Sequence, residues 1–439
     1  MGTVFIEKFC FVVVVVLAVL IGSSEANGCD LFEGSWMHYF RKQMHCSSEQ
    51  MHCYSKQMHR SSELMHCFSK LMQCFDEMAQ CFDEMTQCFI QTRMNNTTRI
   101  IVSKQEQANV VRSNCNLFEG SWVIDDDVIE PLYNTTTCPF IRSTFNCTKR
   151  PDRQYLKYKW QPSGCDLPKF DGSAFLRKYK GKQIMFIGDS LSLNNYDSFL
   201  CLLYVSVPGV NHHTKSTNQS VTVIFEDYRV SVTLFNSLFL VDVEVEPNIG
   251  RVLKLNSIKN GEIWKQADIL IVNTWLWWTR GGPKQPWDYI EDTDGKLVKE
   301  MNRVIAFRRG LNTWTKWVER EVDLTKTKVF YQGQAGSHHH GEDWGEPGVK
   351  GCSNQTTPVV GSIYPSGLPL PAQIMKQVLK NMTNSIFLLD ITILSHLRKD
   401  GHPANHNGYS GFDCTHFCLP GVPDTWNQLF YASLLKLTS

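Results

Sequence analysis

Downstream of residue 170 the chain carries four short runs in which apolar side chains follow one another without alternation: 183–187 (Gln-Ile-Met-Phe-Ile, apolar after its first residue), 269–272, 328–331 (apolar after Lys328) and 386–389. A strand with one wet face alternates apolar and polar residues. A strand apolar throughout is buried on both faces, as parallel strands are when helices pack above and below them. Helical periodicity at 301–319 and 372–382 supplies those covering layers. The expected fold class is therefore α/β, a mostly parallel sheet sandwiched by helices. Two further β-rich runs, 221–225 and 230–234, read as a hairpin added to that frame.

The first 26 residues stand apart. A short segment ends at Lys8, an apolar run covers 9–21, and Ser24-Glu25-Ala26 puts small residues where a signal peptidase reads them. The run is shorter than the roughly 20 residues a spanning helix needs. Residues 1–26 are expected to be a cleaved signal peptide, with an uncleaved anchor as the alternative; membrane association follows only from the anchor. Seven sequons point to the same lumenal passage: Asn95, Asn96, Asn134, Asn146, Asn218, Asn354 and Asn381. Of 16 cysteines, Cys10 lies in the leader and seven lie between Cys29 and Cys88. The other eight are Cys115, Cys138, Cys147, Cys165, Cys201, Cys352, Cys414 and Cys418. That even set in an oxidising compartment implies four disulfides of open connectivity.

Residues 27–112 repeat with a seven-residue period, with Met at 37, 44, 51, 58, 65 and 72 and Cys at 46, 53, 67, 74, 81 and 88. The later copies form a helical seam, while polar residues such as Gln43, Ser47 and Gln50 interrupt the earlier ones. Soft-metal binding by this tract is the lesser alternative. The octapeptide from Cys29 to Trp36 nearly recurs from Cys115 to Trp122, so the tract reads as an insertion between two copies of one entry motif. The folded part is expected as a Cys-rich N-terminal domain over 113–168 and the α/β domain over 169–439. A net charge of +1 gives the chain no general attraction to nucleic acid. One stretch, from Lys149 to Lys182, holds ten basic residues against three Asp, and reads as a solvated face or a patch for an anionic polymer.

Chemistry concentrates at two places. The strand ending at Ile187 runs into Gly188-Asp189-Ser190, and a helical stripe of Leu193, Tyr196, Leu200 and Leu203 follows. A Ser there stands at the carboxyl end of a buried strand and at a helix N-terminus, where free N–H groups stabilise an oxyanion. The alternative is an N-cap serine. Asp413-Cys414-Thr415-His416 places an acid and an imidazole three residues apart, so that Asp413 orients His416 and His416 takes the Ser190 proton. Cys418 is positioned to staple that loop.

Gly-Asp-Ser after the first sheet strand with Asp-x-x-His before the last helix is the layout of SGNH/GDSL-type esterases and acetyltransferases. The chain resembles, more specifically, the plant trichome-birefringence-like family of polysaccharide O-acetyltransferases. The resemblance rests on the stretches 115–122, 155–160, 186–194, 284–289, 388–391 and 413–427, and spans residue 113 to the end. It implies an SGNH-like fold, a catalytic Ser190, His416 and Asp413, and oxyanion or substrate contacts from Gly188, Asp189, Asn273 and Trp275. Leu193 is similar to the powdery-mildew-resistance branch, associated with pectin acetylation, where xylan-type members tend to carry Arg. Two departures stand out. Leu276 occupies the His position of the family's Trp-His-Trp-Trp, and Asn194-Asn195-Tyr196 stands for Asn-Gln-Trp. Trp275, Trp277 and Trp278 read either as core or as a platform for sugar rings. His338-His339-His340 with Glu342 and Asp343 completes no recognised zinc pattern, and no metal site is expected.

The resemblance implies acetyl transfer by double displacement to a cell-wall polysaccharide, pectin before xylan. It implies no bound cofactor, an acetyl donor such as acetyl-CoA, and residence in the Golgi, with the endoplasmic reticulum or apoplast as alternatives. A hydrolase removing acetyl groups is the enzymatic rival. A glycan-binding protein with little turnover is the rival of another class.

Overall fold

The apolar runs assemble as neighbours. The computed structural model describes residues 115–125, 131–384, 386–406 and 412–437. The leader at 1–26 and the repeat tract at 27–112, with Asn95 and Asn96, lie outside the described residues. The described chain opens with β1 (Gly120–Ile124), paired antiparallel with β2 (Tyr158–Pro162). Then come α1 (Gly172–Lys178), β3 (Gln183–Gly188), α2 (Ser190–Ser206), β4 (His212–Ser216), β5 (Ser220–Phe225) and β6 (Val230–Asn236). They are followed by β7 (Asp242–Glu246), β8 (Gly250–Lys254), α3 (Gly261–Trp264), β9 (Ile269–Val272), β10 (Tyr289–Glu291) and β11 (Leu297–Val298). The last part holds α4 (Arg303–Glu321), β12 (Lys328–Gln332), α5 (Leu370–Lys380), β13 (Phe387–Leu389), α6 (Thr392–His396) and α7 (Val422–Lys436).

The main sheet has the order β13-β12-β9-β3-β6-β5-β4. From β13 to β6 every pairing is parallel, while β5 and β4 continue it antiparallel. The expected hairpin is β5–β6, and β6 is also a full parallel partner of β3 in register from Gln183 opposite Ser231 to Gly188 opposite Asn236. Along β3 the faces alternate, although every residue after Gln183 is buried. Ile184 and Phe186 join one core with α1, α2 and α7, through Phe175, Phe199 and Phe430. Met185 and Ile187 join the other with α4 and α5, through Phe307, Trp314 and Met375. Burial on both faces explains why no polar alternation marks these strands. In α4, Gly310 is required because a Cβ there would lie 2.7 Å from the Trp278 ring.

Three features differ from the sequence reading. First, α2 is not an amphipathic helix with one apolar stripe. Its polar residues Asn194, Asn195, Asp197 and Ser198 are buried as well. Arg142 of the N-terminal lobe pairs with Asp197, and Ser198 Oγ donates to Asp424, which also accepts from Tyr133. Second, a separate four-stranded sheet, β11-β10-β8-β7, forms from strands two to five residues long. Third, the basic stretch from Lys149 to Lys182 is partly internal. Arg150 is buried and donates to the carbonyls of Asp400 and His402, while Lys159 and Lys182 pair with Asp125 and Asp268. That engagement weakens the reading of a free anionic-polymer patch.

The eight cysteines form four bridges: Cys115–Cys165, Cys138–Cys201, Cys147–Cys418 and Cys352–Cys414. The second ties the N-terminal lobe to α2. The last two grip the segment that carries His416.

Behind that segment lie buried histidines. His402 Nδ1–H donates to the His416 carbonyl at 2.7 Å and His338 Nε2–H to the His396 carbonyl at 2.8 Å, and the two rings meet through His338 Nδ1 and His402 Nε2 at 2.6 Å. Burial pushes His402 down to about 3 and His338 well below its ordinary value, so the fold disfavours a charge on either ring. Unfolded, they would take up protons near pH 6.5. The unfolded state then binds more protons at acid pH, so their contribution is complete above that pH and is lost as pH falls. The stability advantage of the wild type over His402→Asn should shrink by about 1.4 kcal/mol per pH unit below roughly 6.5. Denaturant unfolding at pH 7.5 and 5.5 measures it. An advantage that does not change between the two pH values would contradict neutral burial of His402.

Candidate active site

Ser190 sits at the first position of α2, directly after the β3 strand end. Strand order reverses around β3: the chain leaves it for β6 on one side and for β9 on the other, and such a point opens a crevice at the carboxyl ends of the strands. Gly188 makes the junction possible. A Cβ there would lie 2.2 Å from Ser192 Oγ and 2.5 Å from the Asn273 carbonyl. Asp189 caps α2 by accepting the Leu191 N–H at 2.9 Å. Among the described residues the Ser190 N–H meets no acceptor, so this helix-terminal donor is available to an oxyanion.

The imidazole of His416 spans the gap between Ser190 and Asp413. His416 Nε2 lies 2.7 Å from Ser190 Oγ, and its Nδ1 lies 2.8 Å from Asp413 Oδ2. Asp413 Oδ1 accepts the N–H groups of Thr415 at 3.1 Å and His416 at 3.0 Å. Burial alone would raise the Asp413 carboxyl, but the bonds and charge of His416 with these amides bring it down to about 2. An ionised Asp413 bonded to Nδ1–H leaves Nε2 free to accept the Ser190 proton. The Phe145 ring flanks the imidazole at 5.5 Å.

Asn194, one helical turn after Ser190, clamps the loop to α2. Its Oδ1 accepts the Phe417 N–H at 2.7 Å, and its Nδ2 donates to the Phe417 carbonyl at 3.1 Å. Asn194 entered the sequence reading only through the stretch 186–194 and a variant tripeptide; its Ser-x-x-x-Asn spacing on one helix face was the available signal. His338 and His402 were not legible as supports. Asn195, which stands for the family's Gln, donates to Gln332 at 2.6 Å, and its own Oδ1 is buried without a partner.

The remaining expected contacts fall out differently. Gly188 works by close packing, and its carbonyl accepts the Ser237 N–H. Asp189 is buried, and burial raises its carboxyl to about 6, partly opposed by the Leu191 N–H and the charges of His416 and Arg280. As a capping acceptor it offers no donor to an oxyanion while ionised. Asn273 is buried, and its Nδ2 donates to the carbonyls of Gln332 and Gly333, each at 3.3 Å. These bonds hold it at the β9 strand end. Trp278 is fully buried with its Nε1–H on Thr274, whereas Trp275 and Trp277 are half-buried, Trp275 edge-on to Phe307. Among the described residues no group of three or more His, Cys, Asp or Glu is placed to hold a metal ion. His339 instead lies 3.2 Å from Thr415 Oγ1 and His338 is buried.

Comparison with known proteins gives the same frame. The profile of the GDSL/SGNH-like acyl-esterase family found in Pmr5 and Cas1p matches residues 167–433, and that of the PMR5 N-terminal domain matches residues 113–166. Protein trichome birefringence-like 38 of Arabidopsis thaliana is 49% identical over 325 residues, covering 73% of this chain and 84% of that protein. Protein trichome birefringence-like 39 of the same plant is 49% identical over 325 residues, covering 73% and 87%. Protein trichome birefringence of that plant is 33% identical over 371 residues, covering 79% and 60%. Most of the described fold, the Ser190 junction and the His416 loop included, falls within the first profile, and the chain belongs to the GDSL/SGNH-like acyl-esterase family found in Pmr5 and Cas1p.

Proposed function

We propose that the protein is an O-acetyltransferase that places acetyl groups on hydroxyls of a plant cell-wall polysaccharide, with pectin as the favoured acceptor. The observation that carries this reading is the continuous hydrogen-bonded line from Asp413 through His416 to Ser190. Family membership supports acyl chemistry, and Leu193 in the nucleophile segment supports pectin. The reading places the protein in the lumen of the secretory pathway, Golgi first. Asn134, Asn218, Asn354 and Asn381 are exposed, as glycan attachment there requires. No helix among the described residues is long and apolar enough to cross a membrane.

In the first half-reaction Ser190 Oγ attacks the acetyl carbonyl carbon of a thioester donor such as acetyl-CoA. His416 Nε2 takes the hydroxyl proton, and the Ser190 N–H faces the developing oxyanion. Collapse breaks the C–S bond, His416 returns the proton to the leaving thiolate, and acetyl remains on Ser190. In the second half a sugar hydroxyl gives its proton to His416 and attacks the acetyl carbon. Ser190 leaves and recovers the proton, and the sugar carries the ester. Asp413, at about 2, stays ionised through this cycle at any pH above roughly 4 and stabilises the imidazolium. Water in place of the sugar hydroxyl would make the same site an esterase.

Incubating the purified protein with acetyl-CoA and oligogalacturonide or xylo-oligomers, beside pre-acetylated oligomers, separates the readings. Mass gain on the oligomer is the expected result. Mass loss from acetylated oligomers alone would identify a hydrolase, and binding without either would identify a glycan-binding protein. Ser190→Ala should lower acyl turnover at least about a thousandfold with an unchanged melting temperature. Asp413→Asn should lower kcat by roughly three to four orders of magnitude. Undiminished transfer by Ser190→Ala would overturn the mechanism.

A further inference from the structure

Arg280 has no role in the chemistry above, yet its surroundings are those of a binding group. It follows the short helical turn Leu276–Thr279, in the segment that leaves β9 beside the end of the nucleophile strand. Its guanidinium lies over the Trp277 ring, 5.5 Å from the centroid. Stacking on an indole fixes the plane of a guanidinium and leaves its N–H edge open to a two-oxygen anion. Arg280 is half-buried, and among the described residues no carboxylate lies within ion-pair distance. Other arginines of similar exposure, Arg142 and Arg309, each face an aspartate.

Two further facts place this cation at the crevice. Its charge acts on Asp189, the residue before Ser190, and on His339, whose Nε2 lies 3.2 Å from Thr415 Oγ1 between Asp413 and His416. Arg280 is thus within electrostatic reach of both walls, the start of α2 and the loop of His416. A positive group that meets no counter-ion among the described residues suits a substrate that brings its own negative charge.

We propose that Arg280, laid on Trp277 at the β9 rim of the crevice, binds the carboxylate of a uronate residue in the acceptor polysaccharide. The proposal rests on the acetyltransferase reading and deepens it. Arg280 is then the residue that distinguishes an acidic acceptor from a neutral one. Acting on acceptor binding, it changes KM for uronate oligomers more than kcat.

The test compares wild type, Arg280→Gln and Arg280→Lys in the full chain, using acetyl-CoA with oligogalacturonide or a neutral xylo-oligomer. Arg280→Gln is expected to reduce the preference for oligogalacturonide, as a ratio of kcat/KM values, roughly tenfold, with the lysine variant between. Losses equal on both acceptors would overturn the proposal. So would a rise confined to the KM for acetyl-CoA, which would assign Arg280 to the donor phosphates. Calorimetric titration of oligogalacturonide into Ser190→Ala protein with and without Arg280→Gln reads the same contact without turnover. Salt-sensitive binding that weakens with Arg280→Gln supports the proposal even where no acetyl transfer is seen, an outcome that defeats the transferase reading alone. Binding indifferent to the substitution, or no binding at all, overturns it.

Discussion

The 2.7 Å contact between His416 and Ser190 joins residues 226 positions apart, and the rest of the site depends on it. A loop of irregular backbone does not hold a side chain in one position by itself. Here the segment is fastened on several sides. Cys414 is bridged to Cys352 and Cys418 to Cys147, Asn194 closes both hydrogen bonds with Phe417, and His402 holds the carbonyl of His416. One of these anchors, Asn194, rises from the same helix that presents Ser190. The imidazole is therefore positioned against the Ser190 hydroxyl by a shared element, and the disulfide-rich lobe acts as a brace for the site.

Two aspartates beside this contact are driven in opposite directions by their surroundings. Asp413 is surrounded by donors and lies at about 2, while Asp189 has one oxygen buried without a partner and lies at about 6. Such separation of like groups is how a site assigns different tasks to the same side chain. Asp413 orients the imidazole through Nδ1. Asp189 follows the strand and caps the helix that Ser190 begins.

Much of this was legible in the chain. The four apolar runs, the strand-to-helix junction at Ser190 and the Asp-x-x-His segment are local patterns, and local patterns survive in a sequence. What failed were features set by tertiary partners. The burial of Asn194, Asn195, Asp197 and Ser198 depends on Phe417, Gln332, Arg142 and Asp424, none of which lies near in sequence. The strands of the small sheet are too short to carry a period, and Asp-Val-Glu-Val-Glu reads as solvated. Arg150 looked like part of a basic surface because its partners, the carbonyls of Asp400 and His402, carry no signature of residue type. The partners of Asn273, the carbonyls of β12 and of the residue after it, carry no signature of residue type either.

The central claim is that Ser190 carries the acetyl group in transit, and a direct measurement is available. The full chain is mixed with isotope-labelled acetyl-CoA, quenched in acid within one turnover, and mapped by peptide mass spectrometry. The account predicts the label on the peptide containing Ser190, and its disappearance at the rate of product formation once a polysaccharide acceptor is added. Label reaching the acceptor while Ser190 never carries it would contradict the account.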